Sequence, residues 1–194
     1  MKRIAVEIQG TAPLLIHRFG DAEQVEKTTR RVRVQENPDP REEARRHAYI
    51  APDGTFYFSA FAIPNAMGTA GGAHKQRGSR KTLRFVVPSA VRMESDTVTI
   101  LNEKGPALDF EVDSRPVTIP ATKGRIMRHR PRFNCWRAKF VLVLNDDMLD
   151  PANAHQLLNE AGQGVGIGDF RPEKRGPFGT FRVVAFGTDE EGAP

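Results

Sequence analysis

Residues 164–183, GVGIGDFRPEKRGPFGTFRV, constrain the fold of this chain more than any other stretch. Five glycines and two prolines in twenty positions exclude both a helix and a regular strand. The flanks are regular. Upstream, PANAHQLLNEAG has Pro151 at a first helical position, Asp150 or Asn145 placed to start the helix, and Gly162 placed to end it. Downstream, GTFRVVAFG has the apolar content of a closing strand. The fold must therefore carry a shaped, glycine-rich crossing between its last helix and its last strand.

The rest of the chain supplies partners for those two elements. Ile4, Val6 and Ile8 alternate with Arg3, Ala5, Glu7 and Gln9, the pattern of a half-buried strand, and TAPLLIHRF continues it. Residues 20–46 are charged, contain Pro38 and Pro40, and read as a long mobile insertion. AYIAPDGTFYFS predicts a hairpin about Asp53-Gly54. FAIPNAMGTAGGA predicts a short helix with Pro64 in its first turn; Gly68, Gly71 and Gly72 either weaken it or admit a close neighbour. FVVPSAVRM, TVTIL and DFEVDSRPVTIP read as extended. In WRAKFVLVLN, Trp136, Ala138, Phe140, Leu142 and Leu144 share one strand face. Stripped of insertions, the order is strand, helix, strands, helix, strand, the β-α-β-β-α-β plan of a ferredoxin-like fold. The expectation is an α+β chain with a modified ferredoxin-like core. One domain would span 1–187, with insertions at about 19–47 (a mobile arm) and 73–135 (basic and β-rich), and 188–194 would form a loose tail.

At 194 residues such a domain buries a core without disulfides, and the single Cys135 permits neither an internal disulfide nor a cysteine-based zinc site. A net charge of +5 and a pI near 9.7 favour a polyanionic partner. MKRIAVEIQG enters its strand without a signal-peptide core, and no apolar run reaches membrane-spanning length. The expected location is the cytoplasm of a bacterial host cell, with no membrane partner.

Gly164-Val-Gly166-Ile-Gly168 opens like a dinucleotide fingerprint but follows a helix. Pro172 and Pro177 then prevent the second helix whose N-terminus would hold a pyrophosphate. No Gly-Lys-Ser/Thr follows, which excludes a P-loop. Two readings remain. In one, Gly166 and Gly168 let main-chain N–H groups approach phosphates, Arg171, Lys174 and Arg175 add charge, and Phe170 and Phe178 stack or anchor. In the other, the glycines serve a structural connection at positive φ.

Gly166-Ile-Gly168 and Gly176-Pro-Phe-Gly179, placed between the last helix and last strand, resemble the glycine-rich loop of the RAMP superfamily. These are the RNA-binding subunits of CRISPR effector complexes, including backbone subunits that polymerise along guide RNA. VEIQGTAPLLIHRF and VGIGDFRPEKRGPFGTFRV further resemble proteins carried by bacteriophages and prophages. The resemblance implies an RRM/RAMP-like core, single-stranded nucleic-acid binding and self-association along the strand.

Two further clusters lack acidic residues. His74, Lys75, Arg77, Arg80, Lys81 and Arg84 form the first. Lys123, Arg125, Arg128, His129, Arg130, Arg132 and Arg137 form the second, with Phe133 and Trp136 interleaved. Arginine suits phosphate forks, and aromatics between cations grip single strands without reading sequence. The competing reading is a solvated face with Trp136 in the core. The segment 23–46 mixes arginines with glutamates and reads as a subunit-contacting arm or a plain loop.

The five histidines show no metal-ligand spacing, and Cys135 carries no nucleophile signature, so no metal or cofactor is expected. His17, His74 and His129 are weak candidates for a general base. The functional expectation is a phage-encoded, RAMP-like protein that binds single-stranded DNA or RNA and self-associates. The alternatives are a metal-independent RAMP-like ribonuclease and a phage structural or assembly protein.

Overall fold

A computed structural model describes residues 1–18, 39–76, 78–118 and 124–188. The protein is α+β and mostly antiparallel. Its main sheet is built on β1 (Lys2–Gly10), whose Ile4, Val6 and Ile8 are buried as the alternation requires. β1 pairs antiparallel with β10 (Arg137–Leu144), setting Ile4 opposite Leu142 and Ile8 opposite Ala138. On its other side it pairs antiparallel with β11 (Phe181–Thr188), with a bulge at Glu7/Ile8. β10 then takes β4 (Val91–Met93) at one end and β6 (Leu101–Asn102), followed by β7 (Gly105–Pro106), at the other.

Two helices cover the apolar face. α2 (Ala62–Ala70) buries Ile63 and Met67, and Pro64 lies in its first turn, where a missing N–H is harmless. Gly71 follows at a close approach: a Cβ there would stand 2.9 Å from the Arg84 nitrogen. α4 (Pro151–Glu160) buries Leu157 and Leu158 and is capped by Asp150, whose carboxylate accepts from the Ala152 N–H at 2.8 Å. One apolar cluster joins β1, both helices, β10 and Phe181.

A second sheet orders β2 (Leu14–Leu15), β9 (Arg125–Phe133) and β8 (Glu111–Thr118). A small pair joins β3 (Tyr57–Ser59) to β5 (Thr97–Thr99). The Asp53-Gly54 turn forms as expected, with Gly54 at φ +85° and the Asp53 carboxylate accepting from the Thr55 N–H.

Three expectations need correction. FVVPSA is not a strand: Leu83–Phe85 is a 3-10 turn and α3 (Val87–Ala90) is a short helix, because Pro88 suits a first turn and cannot pair in a sheet. Gly162 does not end the last helix; the chain continues through a π-helical turn at Ala161–Val165 and stops at Gly166, φ +72°. The supposed mobile arm ends in a helix, α1 (Pro40–Arg46), capped by Asp39 and anchored by buried Ala44 against β8 and β9. The remainder of that arm, Arg77, Lys123 and the tail from 189 lie outside the described residues.

Candidate nucleic-acid interface

The glycine-rich crossing is a self-bonded loop lying on β2. The Gly166 N–H donates to Ala161 O at 2.8 Å, Ile167 N–H to Gly179 O at 2.9 Å, Asp169 N–H to Leu15 O at 2.8 Å and Gly179 N–H to Pro13 O at 2.8 Å. Gly176 N–H is likewise spent on Arg171 O. These donors, Gly166 N–H among them, are already engaged within the protein, which narrows the reading of a backbone cradle. Among the described loop residues Gly168 N–H makes no such bond, and Gly168 sits at φ +77° where a Cβ would overlap the Leu15 carbonyl.

The loop brings two of the three basic clusters together, because β2 joins them. Leu15 pairs with Arg132 and Leu14 with Phe133 of β9. Arg130 Nε stands 2.7 Å from Asp169, and the Arg115 and Arg132 guanidiniums lie 4.7 and 5.9 Å from the Phe178 ring centroid. In the loop Lys174 and Arg175 are exposed and Arg171 and Phe170 half-buried; along β9 Arg132 and Arg128 are half-buried, Arg130 is buried, and Arg125 is exposed at the end of the strand away from the loop. The first cluster lies beyond α2. Lys75, Arg80 and Lys81 are exposed there, and His74 bonds Glu160 at the end of α4.

The aromatic assignments change. Trp136 is 1 % exposed, Phe133 packs on Phe56 at 5.4 Å, and Phe178 lies beneath its two arginines, so none of the three presents a face to a base. Among the described residues the exposed rings are Phe61, 59 % exposed, and Phe85, 70 % exposed. Both sit beside helix-forming apolar residues, at positions the burial pattern of α2 and α3 leaves outward.

The loop also walls a cleft of about 590 Å³. Its lining includes Gly166 to Asp169, Tyr49, Phe61, Asn65, Thr69 and His17. His17 Nδ1 accepts from Arg130 Nε–H at 3.4 Å and lies 3.5 Å from Asp169 Oδ2. The Arg130 N–H thus points at the ring, and Asp169 Oδ2 is held by charge without a directed hydrogen bond. His17, then the Arg130 charge and the Phe170 N–H, keep the Asp169 carboxyl below its ordinary range against the effect of burial. His17 packs against His47, ring centroids 4.4 Å apart and tilted by 43°. Of the other histidine candidates, His129 bonds Ser114 at 2.7 Å on the β8–β9 ladder and His74 pairs with Glu160, both outside the cleft lining. Sequence reasoning singled out neither Asp169 nor Asn65. Asp169 carried a signal, as an acid inside an otherwise basic loop.

His47 is buried, which together with the neighbouring His17 and Arg128 charges lowers its pKa from the ordinary 6.5. The unfolded chain therefore takes up a proton first, and stability falls as pH drops below about 6.5. Asp169 has the same sign in a lower window, beginning near its ordinary 3.8. Urea unfolding across pH should show both limbs, and His47→Gln should remove the upper one alone. A wild-type profile flat between pH 7 and 5 would contradict this placement of His47.

No family model matches the chain, and no curated protein matches it. No group of three or more metal-ligating side chains occurs among the described residues, and no helix there is long and apolar enough to cross a membrane.

Proposed function

We propose that the protein binds single-stranded nucleic acid along the surface where the glycine loop meets β9. The observation that carries this reading is that the loop bearing the exposed Lys174 and Arg175 meets the Arg132 end of β9, through β2 and through Phe178, beside an open cleft. Guanidiniums and ammoniums would hold phosphates, and the exposed Phe61 and Phe85 would take the stacking role first assigned to Trp136. The order β11–β1–β10–β4, all antiparallel, with α2 before β4 and α4 before β11, supports a ferredoxin-like, RAMP-like core. A phage-encoded subunit that repeats along a strand in a bacterial cytoplasm is the biological form of this proposal.

The test is fluorescence anisotropy with single-stranded DNA, single-stranded RNA and duplex across a salt series. The expected result is salt-sensitive binding to a single strand. Lys174→Ala with Arg175→Ala should lower the slope of log K against log salt by about 1.5. Absence of binding to all three probes at low salt would overturn the proposal and leave these surfaces for protein assembly.

The contact between His17 and the ionised Asp169 favours a second reading, a metal-independent ribonuclease. His17, which lines the cleft beside Asp169, would serve as the base that activates a ribose 2′-hydroxyl. A gel of the same binding mixtures reads it: His17→Ala would stop cleavage and keep binding. An intact RNA after prolonged incubation with the wild type removes this reading.

A further inference from the structure

We propose that the cleft seats one unstacked adenine of the bound strand, an inference that rests on the single-strand reading above. α2 presents its cleft wall as a stripe at helical spacing. The Asn65 N–H donates to Phe61 O at 3.2 Å and the Thr69 hydroxyl to Asn65 O at 3.1 Å, so Phe61, Asn65 and Thr69 stand on successive turns of one face. Ala62 and Ala66 between them leave the wall open. Phe61 contributes a ring the core does not use, 59 % exposed. The Asn65 carboxamide makes no side-chain hydrogen bond among the described residues. The cavity lies within the range of about 300–1,000 Å³ common to small-ligand sites.

A flat aromatic face one turn from an unengaged carboxamide is the equipment for a splayed base. The carboxamide donates one N–H and accepts at its oxygen. Adenine answers with N7 and its N6 amine on one edge, the pairing for which asparagine is suited. Guanine offers two acceptors on that edge and cannot satisfy both ends. Cytosine carries an amine beside a ring nitrogen, but its single ring covers less of the Phe61 face.

The experiment compares labelled oligo(U) strands of one length carrying interspersed adenines, interspersed cytosines or neither, in anisotropy at one salt concentration. The wild type should prefer the adenine strand about tenfold. Asn65→Ala, at an exposed position that does not threaten folding, should bring that strand to the level of the others and leave the others unchanged. Phe61→Leu should weaken the adenine strand most. Equal affinity for all three strands, a preference for cytosine, or an adenine preference that survives Asn65→Ala overturns the adenine site and leaves strand binding intact. Binding of none of the strands overturns both.

Discussion

Trp136→Ala should lower the unfolding free energy by about 3–5 kcal/mol, a large share of the roughly 5–15 kcal/mol that a domain possesses. The indole is enclosed where β1, β10 and β11 meet. Its edges meet Phe58 at 6.5 Å and Phe181 at 6.3 Å, both near perpendicular. Its Nε1–H donates to Ala12 O at 2.9 Å. A Cβ at Gly10 would overlap the ring, so the indole lies directly on bare backbone. Truncation would leave both a cavity and a carbonyl without its donor. Trp136→Phe refills most of the volume and should lose only about 1–2 kcal/mol, with strand affinity within about twofold of wild type. Urea unfolding and anisotropy separate the two roles. An alanine variant of wild-type stability with weakened strand binding would restore Trp136 as a stacking residue and refute its place in the core.

That residue shows where sequence reasoning reached and where it stopped. The alternation Trp136, Ala138, Phe140, Leu142, Leu144 already placed the indole on the apolar face of its strand; the structure buries all of them except the half-buried Phe140 and sets them beside Ile4 and Ile8. The interleaving of aromatics with arginines pulled the other way, because composition along a strand says nothing about which side faces the core. Several signals whose chemistry closes locally held: Asp150 as a cap, Pro64 in a first turn, Asp53-Gly54 as a turn, whereas Gly162 as a helix stop and FVVPSA as a strand did not. Sequence signals also failed where partners were distant. The loop's N–H groups bond to Pro13 and Leu15, far away in sequence, and no pattern within 164–183 reveals that they are already engaged. The cleft is likewise a product of four separate segments, so Asn65 and Asp169 acquire their setting only in the fold.

Gly179→Ala should destabilise the protein by about 2–5 kcal/mol, the sum of a left-handed backbone penalty and overpacking. Gly179 has φ +70°, and a Cβ there would overlap the Ile167 carbonyl oxygen. The same residue donates to Pro13 and accepts from Ile167, so it closes the loop on itself and fixes it to the bend between β1 and β2. No side chain fits without parting one of those contacts. Gly164→Ala is the control: nothing lies within 4 Å of its Cβ position, and the change should stay within about 0.5 kcal/mol. The pair also tests function. If Lys174 and Arg175 act together with β9, the loop must hold them against it, and Gly179→Ala should lose strand affinity even at temperatures where it remains folded. Gly164→Ala should keep it. A Gly179→Ala protein with wild-type stability would show that the loop is not closed in this way. A destabilised one with wild-type affinity would mean that the cations bind independently of the loop's shape, which would remove the geometric basis of the proposed interface.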